Sequence, residues 1–270
     1  MFVVKVPRVN NLNKIDGFKN SGELIIKELR NIKVNEQGKL VDPNLLDLEE
    51  IHLDNSNPKY SNELIYKNSS EIFEKKPRVI FLGGDNSISY STGKAFLKHC
   101  NENEKQPCLI VFSSHCNCFD LEDEETPISE AWLKSLIDKG FPKENILLVG
   151  IRNFNLNEVG FLKNNNIKLI SMNFLLEDLQ EICDTIMEFS NGKELYVSID
   201  ISVIDPVFAP STICKEIGGL TSRQFLYLIQ RINKMNNLRA VDLVNINAEE
   251  DIKNNNLTIK LGAKILSELL

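Results

Sequence analysis

From residue 76 onward the chain alternates short apolar runs with segments of helical spacing, and this cadence constrains the fold more than any other feature. The runs fall at 78–82, 109–112, 146–149, 168–171, 195–199 and 239–244. Each is rich in β-branched residues, too short for a helix, and lacks polar alternation, as expected of strands buried on both faces of a parallel sheet. Segments 128–138, 174–189 and 221–235 between them carry helical periodicity. Strand, helix, strand in this order implies right-handed βαβ units. Upstream, 3–6 reads as a further strand, 21–29 as a helix and 55–62 as a loop. The expected fold is a three-layer α/β/α arrangement around a doubly wound, mainly parallel sheet. No long linker or composition break divides the chain, so residues 1–270 are expected to form one domain.

Composition narrows the partners. The chain has 31 Lys+Arg against 38 Asp+Glu, a net charge of −7, which disfavours nucleic acid or an anionic membrane as a main partner. No apolar run approaches the ~20 residues of a membrane helix. The N-terminus lacks a basic segment followed by a long apolar one, so a cytoplasmic protein is expected. The six cysteines are then expected to be reduced thiols. The acidic run Glu122-Asp123-Glu124-Glu125 reads as a solvated loop.

In open α/β sheets, ligands bind beyond the carboxyl ends of the strands, so function is read from the residues after each run. These are Gly83-Gly84-Asp85-Asn86-Ser87, Ser113-Ser114-His115-Cys116-Asn117, Asp200-Ile201-Ser202 with Asp205-Pro206, and Asn245-Ile246-Asn247. Gly83-Gly84 has neither the G-x-G-x-x-G nor the Gly-Lys-Ser/Thr pattern of phosphate loops. The His115-Cys116-Asn117-Cys118 stretch invites a zinc reading, but alternation puts Cys116 and His115 on opposite faces and no second pair completes a set. Cys116 as a nucleophile lacks an imidazole at another strand end.

Taken in order, these segments resemble the ureohydrolases, the arginase, agmatinase and formiminoglutamase family. Gly83-Gly84-Asp85-Asn86-Ser87 resembles the family's Gly-Gly-Asp-His-Ser, and Ser113-Ser114-His115-Cys116-Asn117 falls where it has Asp-Ala-His-x-Asp. The stretch from Ser198 to Pro206 resembles Ser-x-Asp-x-Asp-x-x-Asp-Pro, with Gly218-Gly219-Leu220-Thr221 and the segment from Val241 to Asn247 completing the series. The resemblance implies hydrolysis of a guanidinium or amidine carbon. Two manganese ions, held by two histidines and four aspartates, would share a bridging hydroxide. It also implies trimers or hexamers.

Carried over residue by residue, the six ligand positions are Asn86, Ser113, His115, Asn117, Asp200 and Ser202, so only His115 and Asp200 keep the family's residue type. Two divalent ions bring four positive charges, and one carboxylate cannot balance them in a partly dry cleft. The acidic position that receives the guanidinium is Asn245, and the proton-shuttling histidine falls near Glu130. His115 is either a relic ligand or a hydrogen-bonded histidine in a polar pocket, the second being favoured. Asp200 is expected to accept hydrogen bonds from Ser113, Ser202 or backbone amides. The expectation is therefore a family member that keeps its fold and has lost the binuclear manganese reaction. It takes no cofactor, or at most one weakly held divalent ion. It acts as a structural or regulatory subunit, self-assembled or joined to an active relative. A divergent hydrolase with a single-metal site and a small-molecule sensor are the alternatives.

Overall fold

The computed structural model describes residues 1–12, 16–120 and 126–270. The acidic run at 122–125 lies outside the described residues. The chain runs β1 (Phe2–Val6), α1 (Ser21–Leu29), β2 (Asp47–Glu50), α2 (Pro58–Lys75), β3 (Val79–Gly83), α3 (Ile88–Glu102) and β4 (Pro107–Phe112). It continues through α4 (Trp132–Asp138), β5 (Ile146–Ile151), α5 (Leu156–Asn164), β6 (Lys168–Ser171), α6 (Met172–Glu177), α7 (Leu179–Phe189) and β7 (Glu194–Asp200). The last part holds α8 (Ser222–Ile232), β8 (Leu238–Val244), α9 (Ala248–Asp251) and α10 (Leu257–Leu269).

The strands form an eight-stranded sheet in the order β2-β1-β3-β8-β7-β4-β5-β6, and every neighbouring pair is parallel. Because successive side chains of a strand point to opposite faces, each central strand feeds two cores. Ile80, Leu82, Ile110 and Phe112 pack with Ile25, Ile186, Phe225 and Ile265 of α1, α7, α8 and α10. Val79, Phe81, Leu109 and Val111 pack with Phe73, Phe96 and Leu133 of α2, α3 and α4 on the other face. Two apolar layers against one buried sheet make the three-layer arrangement that the apolar runs predict.

Three local departures have identifiable causes. Residues 55–62 are not all loop: Asn57 Oδ1 accepts from Tyr60 N (3.1 Å) and Pro58 opens α2, a combination that starts a helix. The helix expected across 174–189 is two, because Asp178 leaves helical backbone and caps α7 through Gln180 N and Glu181 N. The edge strand β2 is exposed at all four residues, so it carries no apolar signal to read. The six cysteines are all free thiols. Among the described residues no helix is long and apolar enough to cross a membrane.

Candidate functional site

β3 and β4 follow one another in the chain, yet β8 and β7 lie between them in the sheet. Such a reversal opens a crevice at the carboxyl ends of the strands. Asn86 beyond β3, Asn245 beyond β8, Asp200 ending β7 and Ser113 beyond β4 are thereby brought side by side, although Asn86 and Asp200 are 114 residues apart. Backbone geometry holds the ends together. A Cβ on Gly84 would stand 2.0 Å from Arg8 O, so only glycine lets these segments touch. Asn245 adopts φ +72°, a left-handed conformation asparagine tolerates, and its N–H donates to Gly84 O at 2.8 Å.

The centre of the cluster is Asp200, 2% exposed. Its Oδ2 accepts from Asn86 Nδ2 (2.8 Å) and Ser113 Oγ (3.1 Å), and its Oδ1 from Asn245 Nδ2 (2.9 Å) and Ser202 N (2.8 Å). Four neutral donors thus surround one carboxylate. The Ser202 hydroxyl turns away and accepts from Ser114 Oγ at 2.8 Å. Asn117 Nδ2 reaches Ser113 Oγ at 3.4 Å rather than the carboxylate. With their nitrogens committed to Asp200, Asn86 Oδ1 and Asn245 Oδ1 are buried and have no partner among the described residues.

His115 belongs to a second array. Its Nδ1 lies 2.7 Å from Ser114 Oγ, and its Nε2 lies 3.2 Å from Glu216 Oε1 and 3.3 Å from Asn153 Nδ2. Asn153 Nδ2 also donates to Glu216 Oε1 (2.6 Å), and Arg152 donates to Glu216 O and Ser202 O, which ties this loop to the end of β7. Both arrays face a cavity of about 370 Å³ whose wall includes Asn86, His115, Asn117, Glu130, Asp200 and Asn245. Ser113 and Ser202 are buried behind that wall. Glu130 and Glu158 also line it, and burial raises the pKa of each above the usual carboxylate range. Glu130 accepts from Leu12 N, and Glu158 from Cys118 N at 2.9 Å.

Sequence reasoning passed over Asn153, Glu158 and Glu216. The first two follow the end of β5, a strand end the sequence offered but whose successors carry no recognisable pattern. Glu216 lies two residues before Gly218-Gly219, a motif valued only for backbone geometry. A Cβ on Gly219 would stand 2.5 Å from Asp205 N, so that backbone role is real.

The site can be tested against the two manganese ions that the resemblance implies. Amide N–H groups rather than lone pairs point at the Asp200 carboxylate, and the imidazole of His115 bonds Ser114 and Glu216. Among the described residues no group of three or more His, Cys, Asp or Glu side chains is placed to hold a metal ion. These residues do not fit a centre of two histidines and four aspartates.

Comparison with known proteins places this geometry in context. A family model described as the Arginase family matches residues 3–270. An agmatinase of Bacillus subtilis is 31% identical over 239 residues, covering 86% of this chain and 76% of the relative. An arginase of Staphylococcus aureus is 26% identical over 255 residues, covering 85% and 81%. The formimidoylglutamase of Bacillus subtilis superposes with a TM-score of 0.88 at 21% identity, over 99% of this chain and 85% of that one, a likeness of fold. These matches correct the expectation that the chain takes no cofactor. An arginase and an agmatinase among its relatives, in a family whose chemistry the sequence resemblance ties to manganese, point to metal use. Loss of charged ligands does not by itself remove a metal, since neutral amide and hydroxyl oxygens are also hard donors. With the family model matched almost from end to end and the agmatinase aligned over most of its length, the chain belongs to the arginase family.

Proposed function

We propose that this arginase-family chain does not hydrolyse guanidino or amidino substrates by the family's route. It serves instead as a structural or regulatory subunit in the cytoplasm, in a trimer or hexamer of itself or with an active relative. The observation that carries this reading is the saturation of Asp200: both carboxylate oxygens are taken by the amide nitrogens of Asn86 and Asn245, with Ser113 and Ser202 N adding to them. A carboxylate so occupied is a poor partner for an activated water. The neutral Asn245 at the guanidinium position supports the same reading. The test is urea release from arginine and agmatine in the presence of manganese. The native chain is expected to release none. A chain carrying Asn86→His, Ser113→Asp, Asn117→Asp, Ser202→Asp and Asn245→Glu is expected to gain turnover. Urea from the native chain would overturn the proposal in favour of a divergent hydrolase with a different donor set.

A second reading, a small-molecule sensor, is favoured by the cavity itself. Its wall carries the carboxylates of Glu130, Glu158 and Asp200, and no Lys or Arg among the described residues. Such a wall suits an organic cation and presents no cationic side chain among the described residues to an α-carboxylate. Under this reading agmatine raises the melting temperature of the native chain and arginine does so far less. Equal responses to both would remove it.

A further inference from the structure

On the face opposite the α1, α8 and α10 layer, α2, α3 and the C-terminal end of α4 enclose a separate cavity of about 220 Å³. It shares no residue with the strand-end cavity. Lys59, Lys94 and Lys139 stand on its wall against one carboxylate, Glu63. That is a local excess of positive charge on a chain whose net charge is −7.

Three observations go beyond a chance grouping of lysines. Lys94 is half-buried in the middle of α3, and among the described residues neither it nor Lys139 forms a salt bridge. Its ammonium lies over the rings of Tyr66 (4.9 Å from the centre) and Tyr90 (5.6 Å), which position it without neutralising it. Burial, and then the like charge of Lys139, hold Lys94 below the usual lysine range. Lys139 follows the last turn of α4, where a cation meets the helix dipole, but Lys94 has no such reason to be there. The third observation is Asn62 on α2. It is 6% exposed, lines the same cavity, and among the described residues nothing bonds its amide nitrogen or its oxygen. Buried amides are rarely left so, because a desolvated donor or acceptor without a partner is destabilising.

We propose that this cavity binds a phosphate-type oxyanion between Lys94, Lys139 and Asn62. Such a ligand answers each observation. Its charge offsets two facing ammonium groups. Its oxygens accept from the Asn62 amide nitrogen and from Lys94. A monoprotonated phosphate also carries a hydroxyl that donates to Asn62 Oδ1, the one demand a sulfate cannot meet. The volume admits inorganic phosphate or the phosphoryl end of a small monoester.

The test is isothermal titration of the native chain in a phosphate-free buffer, with inorganic phosphate in one arm and glycerol phosphate in the other. Chloride at matched ionic strength serves as the control. Saturable binding is expected in at least one arm, and the stronger arm identifies the source as free phosphate or a phosphorylated metabolite. Lys94→Gln should weaken it about tenfold, and the Lys94→Gln/Lys139→Gln pair further, as for loss of charge-assisted bonds. The side-chain amide signals of Asn62 should shift on titration in the native chain and not in that pair. Lys139 is exposed and Lys94 half-buried on the cavity wall, and circular dichroism checks that the substituted chains keep their fold. No saturable response beyond the chloride control, or binding that survives the double substitution, would overturn the proposal.

Discussion

Two buried aspartates on adjacent strands resolve the same problem in different ways. Asp242 of β8 is 0% exposed and accepts from Ser198 Oγ (2.8 Å), Tyr196 Oη (2.8 Å) and Ser89 Oγ (2.9 Å). All three donors are hydroxyls, and Tyr196 Oη pairs onward with Thr92 Oγ1 at 2.7 Å. A hydroxyl donates and accepts through one atom, so the network closes upon itself. Asp200 of β7 uses two amides, whose donating nitrogens leave Asn86 Oδ1 and Asn245 Oδ1 unpartnered. Two carboxylates with similar burial therefore differ in what remains unsatisfied around them. The Asp242 network is complete within the chain. The Asp200 cluster is left with acceptors that no described residue partners, and it borders the strand-end cavity. A buried carboxylate in this sheet is thus not by itself a sign of chemistry. The sign is the set of unused atoms beside it.

This contrast can be broken by experiment. The largest expected effect is Asp242→Ala, which leaves three buried hydroxyls without their acceptor and should cost about 3 kcal/mol or more in urea denaturation. A smaller loss there than at Asp200 would reverse the comparison. Next comes pH. Burial raises Asp242 to about 6, against the opposing bonds from Ser198, Tyr196 and Ser89. Between those values the folded state holds a proton that the unfolded chain has released, so the contribution of Asp242 to stability is greatest below the unfolded value near 4 and is lost as pH rises through about 6. The loss should be about 2–3 kcal/mol. Asp242→Asn should flatten this slope, although buried Asp85, also raised mainly by burial, retains a part of it. A slope unchanged by the substitution would show that Asp242 is ionised throughout.

Smaller effects sharpen the other side. Asp200→Ala should cost only about 1–2 kcal/mol, because water from the adjoining cavity can replace the carboxylate for Asn86, Asn245 and Ser113. The smallest effect is expected of Asn86→Ala, within about 1 kcal/mol. It removes one donor to Asp200 and one unpartnered oxygen together. A large loss at Asn86 would mean that its Oδ1 has a partner in solution, and denaturation with and without added manganese would tell whether that partner is a metal ion.

Much of the fold was legible because it rests on local repetition. Runs such as 109–112 and 195–199 could be read as strands because a strand buried on both faces needs apolar residues at consecutive positions. β2, with Asp47, Glu49 and Glu50 exposed at the sheet edge, had no such need and was invisible. The α6–α7 break was missed because helical periodicity continues across Asp178, and only the capping bonds of that residue interrupt it.

The candidate site divides in the same way. The chain alone determined which residues stand at the strand ends, their order, and the family they belong to, since these follow from strand length and from motifs contiguous in sequence. It also set the loss of charge at the ligand positions, which is a matter of residue type. Tertiary structure alone decided where each hydrogen bond points. That Asn86 and Asn245 turn their nitrogens to Asp200, that His115 turns to Ser114 and Glu216, and that Lys94, Lys139 and Asn62 line one cavity are juxtapositions of distant segments. The sheet order, with β8 and β7 between β3 and β4, brings those segments together, and a hydrogen bond of about 3 Å is set by that packing rather than by any residue's neighbours in the chain.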